Sequence, residues 1–163
     1  MLANVTYEVE MALLKGTSYF GRTVAKFVYT DTKQPLFIDY HGSKVNKLVI
    51  NGNEIKNIDK TVFDGNRVRF ESKFLKNGQE NKVEITFLNN YRNDGDGLHS
   101  FIDKSDNQQY LYTHLEPEYC HYVMPVFDQP DLRAAWTFTS LIPNDWNVVS
   151  NEREYTPESN QGA

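Results

Sequence analysis

Asn51-Gly52, Gly65-Asn66 and Asn77-Gly78 follow one another closely, each set between short apolar runs. Pairs of this type supply the positive φ angles of tight turns and are the strongest short-range signal for a hairpin. The first separates Leu48-Val49-Ile50 from Ile55, the second Val62-Phe63 from Val68 and Phe70, and the third Phe74-Leu75 from Val83, Ile85 and Phe87. Turns spaced so tightly leave no room for the helices of βαβ units, which confines the chain to a sandwich or meander.

The flanking segments agree. In Thr6–Leu14, Tyr7, Val9, Met11 and Leu13 alternate with Glu8, Glu10 and Ala12, a period of two. Gly16 to Gly21 interrupts that run, and Thr23–Thr30, Pro35–Tyr40, Tyr110–Thr113, Val123–Phe127, Ala135–Ile142 and Asn147–Ser150 read as further extended pieces, with Asn89–Gly97 a turn-rich loop. No segment carries helical spacing. The expected fold is all-β, two antiparallel layers, with Tyr7, Val9, Met11, Phe27, Ile38, Val49, Ile85, Phe87 and Phe138 among the buried residues. At 13% aromatic residues the composition suits pleated, half-buried surfaces. Its 163 residues suit one domain over 1–151, followed by a polar tail over 152–163.

Composition also narrows function. A net charge of −5 with singly scattered basic residues argues against nucleic-acid binding, which needs a clustered positive field. The lone Cys120 precludes an internal disulfide. The start of the chain has neither the basic and apolar regions of a signal peptide nor the Arg-rich character of a transit peptide, and no apolar run approaches a membrane span. The Asn4-Val5-Thr6 sequon reads as chance. The expected setting is intracellular, with the cytoplasm as default and an organelle, within a complex, as the alternative.

Residue chemistry taken alone is sparse. His41, His99, His114 and His121 never form the His-Glu-x-x-His spacing that sets two imidazoles on one helical face, and Cys120 and His121 are adjacent. A calcium loop over Arg92–Asp103 would place a cation where a carboxylate is required, so Asp94, Asp96 and Gly97 read as a turn. No metal site is expected, and no nucleophile has a neighbouring base.

One stretch carries more. GLHSFIDKSDNQQYLYTHLEPEYCHYVMPVFDQPDLRAAWTFTSLIPNDWNVVSN, residues 97–151, resembles the later part of the N-terminal domain of the aminopeptidase N family of zinc metallopeptidases. The matching residues are Gly97-Leu98-His99, Tyr110-Leu111-Tyr112-Thr113, Glu116-Pro117, Phe127-Asp128-Gln129-Pro130-Asp131, and Trp146 with Ser150-Asn151. The resemblance implies a saddle-like β domain packed on a separate catalytic domain that carries the zinc, the general base and the exopeptidase motif. No cofactor is then expected in this chain, because the zinc belongs to that other domain. By the same resemblance Glu116 matches the acidic residue that meets a substrate's free α-amine, a charge-assisted contact. His114 stands where the family has a substrate-neighbouring glutamine, and Cys120–Pro125 departs from the family's Ala-Arg-x-x-Phe-Pro.

Two expectations follow. The first is a non-catalytic structural or interaction subunit of a larger assembly, with other protein subunits as partners through Tyr112, Leu115, Tyr119, Tyr122 and Met124. The second is the N-terminal half of a split or truncated zinc aminopeptidase that contributes Glu116. The Met just before the first strand and the polar last residues suggest a chain complete as written.

Overall fold

The computed structural model describes residues 1–30 and 35–154. Ten strands run in chain order: β1 (Leu2–Leu13), β2 (Ser18–Tyr29), β3 (Leu36–Asp39), β4 (Lys44–Ile50), β5 (Asn53–Glu54), β6 (Arg67–Phe70), β7 (Glu80–Asn90), β8 (Gly97–Ile102), β9 (Gln109–His114) and β10 (Ala135–Leu141). Two single 3₁₀ turns, Ser72–Phe74 and Cys120–Tyr122, are the only helical pieces among the described residues. The expected all-β class is what the chain adopts.

Period-two alternation does the sorting. Val5, Tyr7, Val9 and Met11 of β1 face inward, as do Val83, Ile85 and Phe87 of β7, while Glu8, Glu10 and Lys82 face water. The six-stranded sheet has the order β10-β1-β2-β7-β4-β5, and β3-β6 and β8-β9 form two small ribbons. Ile38, Val68 and Phe70 of the first ribbon, with Val123–Phe127, belong to the same core as the large sheet's inner face. Tyrosines join the parts through their hydroxyls: Tyr7 accepts from the Phe127 amide at 2.9 Å, and Tyr19 donates to the Val123 carbonyl at 2.8 Å. Burial raises the pKa of both phenols, so they stay neutral. On the outer face the guanidinium of Arg22 bridges Glu10 and Glu84 across three strands.

Several expectations are corrected. The sheet is mixed rather than antiparallel, because β10 joins β1 in parallel, with Thr6 opposite Ala135 and Ala12 opposite Leu141. Phe138 is 52% exposed, since β10 is an edge strand that the second layer does not reach. Val49 is half-buried. An irregularity between Val45 and Lys47 slips the register, so Leu48 and Ile50 face inward instead. The Gly16–Gly21 interruption is shorter than expected, since β2 starts at Ser18 and contains Gly21. Val123–Phe127 is buried but forms only the single bridge Asp39–Val126, and 147–150 is not a strand.

The turn signals fare differently from one another. Asn51 and Gly52 both have positive φ, 49° and 83°, and close the β4-β5 hairpin. The Gly65 turn joins Phe63, bridged to Val68, with β6. Asn77-Gly78 makes a turn but no hairpin, because Phe74 lies in a 3₁₀ turn and Asn77 bridges to Tyr29. Of the expected tail, 155–163 lies outside the described residues.

Candidate functional site

The segment after β9 gathers the residues of interest. His114 ends that strand opposite Gly97, and its ring nitrogen lies 3.4 Å from the Asp96 carboxylate. Leu115 is half-buried against the core, and its carbonyl accepts the Tyr119 amide at 2.9 Å, which folds Glu116–Glu118 outward as a turn. The Glu116-Pro117 peptide is cis. Glu116 is exposed and makes no hydrogen bond or ion pair among the described residues. A carboxylate in that position is free to receive a cation.

Aromatic rings frame the turn. Tyr119 and Tyr122 stack with centroids 5.4 Å apart, His114 meets Tyr119 at 5.7 Å, and the Arg92 guanidinium sits 4.4 Å from the Tyr122 ring centre. Beside them His41, Ser43, Asn89, Tyr91, Arg92 and Tyr122 line an open hollow of about 270 Å³. Of the five expected interface residues, Tyr112 is 45% exposed and Tyr119 and Tyr122 are half-buried. Met124 is 5% exposed and belongs to the core, so it supplies no surface, while Leu115 is half-buried like the two tyrosines.

Sequence reasoning missed two arrangements. Asp128 holds the Cys120–Tyr122 turn: one of its oxygens accepts the His121 amide at 3.0 Å and lies 2.6 Å from His121 Nδ1. Burial works against the Asp128 carboxylate, but the His121 hydrogen bonds outweigh it and keep it below the usual range. Thus His121 anchors a carboxylate by pairing ring with amide. The second arrangement is an exposed aromatic face on the β8-β9 ribbon. Phe101 stacks on Tyr110 at 5.5 Å, and His99 meets Tyr112 at 4.8 Å. Cross-strand ring pairs stabilise a two-stranded ribbon that lacks a third strand. The pattern His99-x-Phe101 with Tyr110-x-Tyr112 was the available signal.

The donor groups present do not suit zinc. Among the described residues no three His, Cys, Asp or Glu side chains lie close enough to hold a metal ion. The nearest approaches are two-residue pairs, His114 with Asp96 and His121 with Asp128, and a structural zinc needs four ligands. Asp94 is taken by Arg92 and Asp103 by Ser105, so the acidic loop converges on no cation either. Burial pushes the Cys120 thiol up to about 12, which keeps it protonated. No helix among the described residues is long and apolar enough to cross a membrane.

A mixed β-sheet backed by a small ribbon, with an exposed carboxylate on a tyrosine-lined turn, defines an all-β domain. Residues 4–162 match the Peptidase M1 N-terminal domain family, and the chain belongs to that family. It is 32% identical over 158 residues to aminopeptidase N of Streptomyces lividans, an alignment covering 95% of this chain and 18% of that protein. The M1 zinc metallopeptidase of Deinococcus radiodurans shares the fold with a TM-score of 0.62 at 16% identity, over 87% of this chain and 32% of that one. A variant of that enzyme bound to a Tyr-Ser-Ala substrate gives a TM-score of 0.60, also at 16% identity, over 87% of this chain and 33% of that one. The chain thus spans less than a fifth of the Streptomyces relative and about a third of the Deinococcus chain.

Proposed function

We propose that this chain is a non-catalytic docking module of the M1 aminopeptidase type, which binds a second protein unit through the surface built by β9 and the Leu115–Tyr122 turn. The observation that carries the reading is the exposed ring cluster of Phe101, Tyr110 and Tyr112 beside half-buried Tyr119 and Tyr122. Tyrosine-rich, partly desolvated surfaces are enriched where proteins bind one another.

A second reading is favoured by one residue. Glu116 is exposed and without a charged partner among the described residues, whereas Asp128 and Asp94 are each engaged. If the second unit is a zinc-peptidase catalytic domain, Glu116 would meet the free α-amine of its substrate, a charge-assisted contact that selects for an unblocked N-terminus. Hydrolysis itself would need the zinc and water-activating groups of that unit.

Reconstitution tests both. The chain is mixed with an M1 catalytic unit from which its own N-terminal domain has been removed, and binding is followed by sedimentation and by tyrosine labelling. Association with protection of Tyr112 and Tyr119 supports docking, and no association with both tyrosines freely labelled rejects it. If the mixture hydrolyses aminoacyl amides and Glu116→Ala raises KM with kcat changed less, the second reading holds. Hydrolysis insensitive to Glu116 leaves the chain a docking module alone.

A further inference from the structure

His99, the last residue of the Gly97-Leu98-His99 motif, differs from the other three histidines in what its ring meets. His41 Nδ1 lies 2.7 Å from the Asn66 side-chain oxygen, His121 Nδ1 2.6 Å from Asp128, and His114 Nδ1 3.4 Å from Asp96. Each of these rings faces an oxygen, so a second ring proton costs none of them its partner. His99 Nδ1 instead receives the Gly95 amide at 3.0 Å. A backbone N–H only donates, so that nitrogen must carry a lone pair. The geometry therefore demands a neutral imidazole with its proton on Nε2. Gly95 lies in the connection from β7 to β8, where Gly95 and Gly97 both have positive φ, 99° and 66°. The connection's other local bonds are the Asp96 amide on Asp94 at 3.3 Å and the Arg92 pairing with Asp94.

The groups around His99 come from three elements. The connection brings Arg92 and Asp94, paired with each other, and Asp96, shared with His114. β9 brings Tyr112, its ring centre 4.8 Å from that of His99. The Cys120–Tyr122 turn brings Tyr122, which carries the Arg92 guanidinium, and His121, held on Asp128. The Arg92 hydrogen bond keeps Asp94 below the usual carboxylate range, so it stays charged where an imidazole ordinarily titrates. His114 pulls the other way, since its second proton strengthens the pair with Asp96. We propose that His99 is a proton-operated latch. Neutral, it holds the Asp94–Gly97 turn through Gly95; doubly protonated, it releases that turn, because N–H would then face N–H. Release unfastens the segment that carries Asp96 to His114 and the ring packed on Tyr112, at the margin of the surface proposed for docking, so acid should weaken docking. That consequence rests on the docking reading. The latch itself is measured in the unbound chain, so either can fail alone.

Ring nitrogen shifts of the nitrogen-labelled wild-type chain test the first half. At about pH 8 His99 should show a bare Nδ1 and a protonated Nε2. For the second half, the exchange protection of the Gly95 amide should fall roughly tenfold between about pH 8 and pH 5, in step with the His99 ring signals. His99→Asn sets an oxygen where Nδ1 stands and cannot titrate, so Gly95 should keep its protection across the same interval. A proton on Nδ1 at the higher pH overturns the inference. So does wild-type Gly95 protection that ignores pH, or protection that falls equally in His99→Asn.

Discussion

A Cβ placed on Gly21 would stand 2.2 Å from Cζ of Phe87, closer than any packed carbon pair tolerates. The two residues face each other across β2 and β7. Phe87 cannot swing away, because its fully buried ring packs against Tyr19 and Tyr40. Gly21 is therefore required for space. Gly21→Ala should destabilise by about 1–3 kcal/mol through overpacking, and Phe87→Ala by roughly 3–5 kcal/mol through the cavity it leaves. The double variant should cost less than the sum of the two, since each change relieves the other. Urea midpoints of the four chains check this, and simple additivity would refute it.

Asn81 is fully buried and has four polar neighbours. Its oxygen accepts the Lys76 amide and the Asn51 side chain, both at 2.8 Å, while its nitrogen donates to the carbonyls of Lys76 and Gln79, both at 3.0 Å. Asn81→Leu strands those partners away from water and should cost about 2–4 kcal/mol. Asn53→Ala, at an exposed position near the same hairpin, should cost well under half as much. Equal losses in chemical denaturation would deny Asn81 this role.

Acid sensitivity should concentrate at Asp64. Its carboxylate accepts the Asn66 and Arg67 amides, both at 2.9 Å, and Arg69 at 2.6 Å, and these hold its pKa down at about 2, against 3.8 ordinarily. A lowered folded-state value means the stabilisation is full above about 4 and disappears as the pH falls through 2. Asp64→Asn should flatten the loss of stability across that interval while lowering stability at neutral pH. Melting temperatures of both chains at steps from pH 5 to 2 decide the matter. An unchanged acid limb counts against it.

Cys120 should react slowly. With its thiol pushed up to about 12 by burial first and by Asp128 second, little thiolate exists near neutral pH. Labelling by an aromatic disulfide at pH 8 should run on the order of a hundredfold slower than for an exposed thiol, and denaturant should abolish the difference. Rapid labelling of the folded chain would contradict this burial.

The sequence was most readable where a strand has one wet face. β1 and β7 alternate cleanly, so Tyr7, Val9, Met11, Ile85 and Phe87 were identifiable as core. Val49 misled because the irregularity after Val45 inverts the register, an event that leaves no mark in residue type. Phe138 misled because an aromatic residue on an unpaired edge reads the same as one in the core. The parallel partnership of β1 and β10 is a property of chain path, and alternation carries no direction. The pairing of His121 with Asp128 depends on a 3₁₀ turn whose short apolar context resembled a strand.

The partner of Thr6–Ala12 is supplied by Ala135–Leu141, about 130 residues later in the chain. At a synthesis rate of about 5–20 residues per second, β1 would wait roughly 6–26 s on the ribosome before its second neighbour exists. Contacts so distant in sequence close late and slowly in refolding as well. During that interval Glu8 and Glu10, which alternate along the waiting strand, set like charge against like on any neighbouring nascent copy. The carboxylates that later face water on the finished sheet thus act first as guards against premature pairing between unfinished chains.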